Sequence, residues 1–365
     1  MDPSNADTEF GDLAPDTGMR LLLDELQACV RSMDTLEREL QVLRRRLDGV
    51  ERRLRLSSSH TAPAPVPERG APATTRPAQA TSDAVLSKGR GSVAEGLQLE
   101  DWVTRYAPAT LPVLERTRGE IDQLRERQDA LDPQDLASVI EVDPMMTLKL
   151  YAQVAQMRGR TSHSDPDSVI GALLMLGVTP FFRAFQQLDA VESVLQDRPD
   201  AMEGFQSVLE RSFRAARFAL AFAVHRMDPD AALLRSAAML HDVAELLLWC
   251  SEPDLALEIR ARMRSRPGLR SAQAQRAVLN VRLIDVQHAL LYRWRLPTRL
   301  IAVLDGHKTE NQLQVRTVEL AVRMARHTAQ GWKDAAIPDD LIEIGRLLQL
   351  SPESVRRLII DIDRD

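Results

Sequence analysis

The chain has 365 residues, 44% hydrophobic and 27% charged, a balance that supports a real core and excludes a chain too polar to fold. An aromatic content of 4% and a formal net charge of −6 argue against a base-stacking or phosphate-binding nucleic-acid surface. Among 47 basic residues the lysines are only Lys88, Lys149, Lys308 and Lys333, so the arginine richness reads as coding bias. Cys29 and Cys250 are far apart, with no CxxC partner, which excludes a disulfide framework or a cysteine zinc site and fits a reducing compartment. No signal peptide and no transmembrane run of about 18 apolar residues is visible, so a cytoplasmic protein without membrane insertion is expected.

Residues 1–18 are polar and are expected to be disordered. Over 19–56 Leu22, Cys29, Leu36, Leu43 and Val50 recur every seven residues, and Leu26, Met33, Leu40, Leu47 and Leu54 do the same four positions on. This unbroken seam predicts a coiled coil that self-associates as a dimer or higher oligomer. A parallel, in-register pair would set Glu39 against Arg44 and Arg46 against Glu51, but the first two heptads offer no such pairs, so orientation stays open. The alternative is an amphipathic helix folded back on the main domain. Residues 57–97, with Pro63, Pro65, Pro67, Pro72 and Pro77 among Ala, Ser, Thr and Gly, predict a flexible linker.

From 98 to 360 the reading is all-α: 98–199 as an N-terminal helical part, 200–320 as a bundle and 321–360 as C-terminal helices. Asp132-Pro133, Asp143-Pro144, Thr179-Pro180, Asp228-Pro229 and Ser351-Pro352 each place a capping residue before a proline suited to the first helical position. Gly177 is expected to close the apolar helix through Ile170, Leu173, Leu174 and Leu176. Ala237–Trp249 is apolar on nearly every face and predicts one central helix. That helix would carry the only candidate site, His241-Asp242. An adjacent His and Asp can share a divalent ion, but other helices must complete the shell.

Five pieces in order resemble the HDOD family over residues 102–360. They are Leu111-Pro112-Val113-Leu114; Asp135 to Leu150 with its Asp143-Pro144; Ser168 to Val178 with its Leu-Gly; Met239-Leu-His-Asp-Val-Ala-Glu-Leu-Leu-Leu248; and Tyr292-Arg-Trp294-Arg-Leu-Pro297. The resemblance implies an HD-like helical bundle preceded by a smaller helical part, related to the metal-dependent HD phosphohydrolases but metal-free. Against catalytic HD enzymes it implies lost ligand positions: Arg211 for the first histidine, Leu283 for the next, and Arg326 near the distal aspartate. The histidine pair shrinks to His307 beside Gly306 or Lys308, and Ala244 and Glu245 replace the signature's glycine and lysine. Leucine cannot ligate, and arginine repels a cation.

His241 and Asp242 are therefore expected to be structural, hydrogen-bonded to neighbouring backbone and helix ends. A rebuilt site from His225, His241, Asp242 and His307 is the competing possibility. No Walker, GxGxxG, GxSxG or HExxH motif occurs, and no cofactor is expected. Arg44-Arg-Arg46 and Arg52-Arg53 read as solvated faces. The function expected is a non-catalytic bacterial regulatory protein that binds itself and a signalling partner. The alternatives are an HD-type metal-dependent phosphodiesterase of nucleotides, cyclic dinucleotides among them, or a nucleotide sensor without hydrolysis. Sedimentation checks the seam: the full chain should run as a dimer or higher, and a chain starting near residue 98 should lose most of that association. Two monomers would place the seam in cis.

Overall fold

A computed structural model of the protein describes residues 97–158, 165–166, 168–266, 268–306 and 312–364. The coiled-coil seam and the Pro-rich segment lie outside these residues. The first half holds α1 (Leu99–Arg105), α2 (Glu115–Arg125), α3 (Pro133–Ile140), α4 (Pro144–Arg158), α5 (Val169–Leu176), α6 (Val178–Ala184) and α7 (Val191–Val194). Then come α8 (Pro199–His225), α9 (Ala231–Leu240), α10 (Val243–Ser251), α11 (Pro253–Ser265), α12 (Ser271–Leu279), α13 (Leu283–Arg293) and α14 (Thr298–Asp305). The last three are α15 (Gln312–His327), α16 (Ile337–Leu348) and α17 (Pro352–Arg364). Among the described residues the only β-type pairing is an isolated parallel bridge, Val113 with Ala190. No described helix is long and apolar enough to cross a membrane.

Proline punctuation places α3, α4 and α17 where expected. Asp132 accepts from Gln134 N at 2.9 Å, and the Ser351 hydroxyl accepts from Ser354 N at 3.2 Å. Two starts differ. Helix α6 begins at Val178, because Gly177, at φ 85°, both ends α5 and opens α6, leaving Pro180 inside the first turn. Helix α9 begins at Ala231, because Asp228 closes a turn by accepting from Asp230 N at 3.0 Å, so Pro229 precedes the helix.

The first half is stitched by two buried charges. The Asp143 carboxylate caps α4 by accepting from Met145 N (2.8 Å) and Met146 N (3.0 Å), and its other oxygen accepts from Leu114 N at 2.8 Å. Burial pushes this carboxyl above its usual value, against those hydrogen bonds. The Lys149 ammonium donates to the carbonyls of Pro108 (3.1 Å), Ala109 (2.8 Å) and Leu111 (2.9 Å). Those three acceptors match the three protons of the charged form, although burial lowers its pKa to about 8. The Leu111–Leu114 strap is thus held to α4 at both ends, and Val113 pairs with Asp189 and Val191 backbone at 2.8 Å.

Helix α8 is the axis of the second half. Ala201, Gly204, Val208, Ser212, Ala215, Ala219 and Phe222 step by three and four along one core-facing stripe, and Phe205, Ala216, Phe218, Leu220 and Ala223 beside them are buried too. The alanines allow close approach of α9 and α15, its chief packing partners. Phe205, Phe218 and Phe222 are fully buried. One core runs through both halves, crossed by Trp102 Nε1 donating to Leu279 O at 3.0 Å and by Arg235 with Glu141 at 2.9 Å.

The apolar run Ala237–Trp249 is not one helix. Helix α9 stops at Leu240, His241 and Asp242 form the turn, and α10 restarts at Val243. Both helices are almost wholly buried, so apolarity is continuous while the backbone is not.

At Gly204 a Cβ would lie 2.4 Å from the Trp249 ring, closer than any carbon contact allows. Gly204→Ala should therefore destabilise the protein by about 1–3 kcal/mol through overpacking, outweighing the roughly 1 kcal/mol gain in helix propensity. Equilibrium urea unfolding checks this; equal or higher stability would show that α8 and α10 are not in contact there.

Candidate functional site

The His241–Asp242 turn sets two side chains at the wall of a cavity of about 790 Å³, where Arg211 of α8, Leu283 of α13 and Arg326 of α15 also stand. The residues expected from sequence thus converge from four separate stretches of chain. Their bonding differs from the expected backbone and helix-end contacts. Arg211 Nε donates to Asp242 Oδ2 at 2.9 Å, and its Nη2 lies 2.8 Å from the same oxygen. The same Nη2 donates to Glu245 Oε2 at 2.9 Å. Arg326 Nη2 reaches both Asp242 oxygens, at 3.1 and 3.3 Å. His241 Nδ1 lies 2.9 Å from Asp242 Oδ1, and because an ionised carboxylate only accepts, Nδ1 is the donor.

These charges set the protonation. Burial alone would push the Asp242 carboxyl up. The His241 hydrogen bond and the Arg326 and Arg211 cations outweigh it and hold the group well below the usual carboxylate range. Burial likewise works against the charged form of Arg211, but Glu245 and Asp242 reverse the balance and raise its pKa. The side chains of Arg211 and Asp242 are only 15% and 11% exposed, so little water screens the pair.

The donor set does not fit a divalent cation. A carboxylate offers about four lone-pair sites, and here three neighbouring donor residues cover both oxygens. Any cation added beside Asp242 would meet two fixed guanidinium charges. Among the described residues no three His, Cys, Asp or Glu side chains come together as a metal-binding group. The other described histidines have partners of their own, although His288 and its partner Asp305 line the same cavity. His225 Nε2 donates to Leu348 O at 3.2 Å, His288 lies 3.2 Å from Asp305, and His327 lies 2.5 Å from Asp340. His225 is therefore not part of the site, and His307 lies outside the described residues.

Sequence reasoning singled out both arginines but gave neither a partner. It noted Glu245 only as a departure from the signature, whereas Glu245 is the second anion that holds Arg211. Its spacing of three from Asp242 was the available signal, since both carboxylates then reach one guanidinium.

This is an all-helical HD-like bundle whose histidine–aspartate pair is occupied by arginine. Residues 111–310 match the HDOD domain, more than half of the chain, and the protein belongs to the HDOD family. Among solved structures it is similar to the MmoQ response regulator of Methylococcus capsulatus str. Bath, with 21% identity and a TM-score of 0.53 over 69% of this chain and 98% of that one. A virulence factor of Campylobacter jejuni subsp. jejuni has 19% identity and a TM-score of 0.48, over 72% of this chain and 92% of that one. An HDOD domain protein of Geobacter sulfurreducens has 15% identity and a TM-score of 0.38, over 73% and 97%. At these identities the first likeness bears on the fold, and the other two carry no weight. No curated protein matches the chain.

Asp242→Asn should remove the charge that compensates Arg211 and Arg326 and destabilise the protein by about 3 kcal/mol at neutral pH. Because the folded-state pKa of Asp242 is depressed, this contribution is full above the unfolded value of about 4 and is lost as pH falls further. The stability gap between wild type and variant, followed by urea unfolding, should be flat from about pH 5 to 8 and close below about pH 4. A gap independent of pH would show that the aspartate is not held ionised.

Proposed function

We propose that this protein is a non-catalytic regulatory component of bacterial signal transduction, a protein-interaction module built on an HD-like bundle. The observation that carries the reading is the occupation of Asp242 by Arg211, Arg326 and His241. Metal-assisted hydrolysis needs a cation with an open position for water, and the cation needs several converging anionic or imidazole ligands. At this site the carboxylates of Asp242 and Glu245 are both engaged by Arg211, and Asp242 by Arg326 as well. The arginines do for the bundle what a metal would do: they draw α8, the α9–α10 turn and α15 onto one negative centre.

The name of the MmoQ response regulator, whose fold this chain shares, points to the same class of role. The module's partner is a second signalling protein. Self-association through the Leu22–Leu54 seam and reach from the Pro-rich segment would raise the effective concentration of two tethered modules at that partner.

The test is metal content together with turnover. Full-length protein incubated with Mn²⁺ or Fe²⁺ and then desalted should retain no stoichiometric metal, and it should hydrolyse neither bis(p-nitrophenyl) phosphate nor cyclic di-GMP. One metal per chain with hydrolysis, both abolished by Asp242→Ala, would instead make the protein a phosphodiesterase.

A further inference from the structure

One stretch of the surface is charged out of keeping with the rest of the chain. Acidic residues outnumber basic ones, 53 to 47, and at the average of 53 in 365 a stretch of 26 residues would carry about four carboxylates. Residues 259–284, which run from α11 through α12 to the start of α13, carry none, and they hold seven arginines. Coding bias accounts for arginine in place of lysine, but not for the missing carboxylates. Like charges gathered on a folded surface repel one another, and the arrival of opposite charge relieves that repulsion.

Three of the seven are held by carboxylates from outside the stretch: Arg260 by Glu203 at 3.6 Å, Arg262 by Glu258 at 2.6 Å and Arg282 by Asp285 at 2.7 Å. The side chains of Arg264, Arg266, Arg270 and Arg276 are exposed and make no ion pair or hydrogen bond among the described residues. Arg276 acts on Asp285 only at a distance, and Arg282 already holds that carboxylate. Helices α11 and α12 pack on each other, so Arg264, Arg266 and Arg270 lie at the closed end of a helical hairpin, and Arg276 follows along the exposed side of α12. Met263 and Arg264 also line the cavity, where the carboxylates of Asp305 and Glu319 have their own partners in His288 and Arg316. The contrast is with arginines elsewhere that are tied to carboxylates, as Arg105 is to Glu252, Arg198 to Asp254, Arg214 to Asp363 and Arg235 to Glu141.

We propose that this arginine surface docks an acidic segment of the partner protein, its carboxylates taken by Arg264, Arg266, Arg270 and Arg276. The proposal rests on the interaction-module reading and adds to it the chemistry of the partner. A guanidinium presents paired N–H donors that match a carboxylate. Nucleic acid fits less well. Residues 259–284 contain no Phe, Tyr or Trp on which a base could stack, and the net charge of −6 opposes a long polyanion. A lipid surface also fits less well, because Met263 is the one exposed large apolar side chain in the stretch that could enter it.

The experiment uses the full chain and a fluorescein-labelled deca-glutamate peptide, followed by fluorescence anisotropy. The peptide should bind, and more weakly as added salt screens the charges, whereas a deca-glutamine peptide should not. Arg264→Ser, Arg266→Ser, Arg270→Ser and Arg276→Ser made together should weaken binding about tenfold. The thermal unfolding midpoint should not move, since none of the four has a partner to lose. Arg183, Arg346 and Arg357 are also exposed and without an ion pair among the described residues, but they stand on α6, α16 and α17. Replacing those three by Ser should leave binding unchanged. The proposal is overturned if the deca-glutamate peptide does not bind, if the four-residue variant binds it as well as the wild type, or if the three-residue variant loses binding to the same degree. Oligothymidylate or phosphatidylserine vesicles bound more tightly than the peptide through the same four arginines would assign the surface to nucleic acid or membrane and overturn it as well. Each of these outcomes leaves the non-catalytic reading standing, because metal content and turnover decide that reading separately.

Discussion

One carboxylate organises the second half of this protein. Asp242 is nearly inaccessible to water, and an ion in that position is tolerable only where opposite charge and directed donors replace its hydration. Arg211 approaches from the 27-residue helix α8, Arg326 from α15, 84 residues after Asp242, and His241 from the neighbouring position. The three are not equivalent. Arg211 is buried and divided between Asp242 and Glu245, whereas Arg326 is 46% exposed and makes longer contacts. The inner pair fixes the turn between α9 and α10, and the outer contact draws α15 onto it.

The same logic recurs in the first half with the signs distributed differently. Asp143 is satisfied by backbone N–H groups and the Thr117 hydroxyl and Lys149 by carbonyls, so neither ion depends on the other as a direct partner. Each converts a backbone segment with no regular pairing of its own into a fixed strap. That explains why a Leu-Pro element and an Asp-Pro element, separated by the two helices α2 and α3, behave as one feature. They are the donor and acceptor sides of a single set of hydrogen bonds.

Most of the helical content was legible from the chain, because cap residues, prolines and three-and-four spacing act within a few positions. Asp132, Ser351 and Gly177 do in the structure what their types predict. The legibility failed where two helices are both buried on all sides. Between Leu240 and Val243 the pattern of apolar residues is unbroken, so periodicity offered no sign of the turn. The site was half legible. Arg211 and Arg326 could be singled out by what they are not, but that they share Asp242 is a long-range fact that local rules cannot supply.

The reach of Arg326 also bears on where this protein can be cut. The HDOD match ends at residue 310, before α15 begins, yet α15 lies along α8 and supplies one of the two cations on Asp242. Arg214 of α8 goes further, gripping Asp363 of α17 with two nitrogens at 3.0 and 2.7 Å. A fragment trimmed to the family boundary would bare the apolar flank of its longest helix and strip its central anion of half its countercharge. The packed unit is thus longer than the homologous one at both ends, since α1 with its buried Trp102 precedes residue 111.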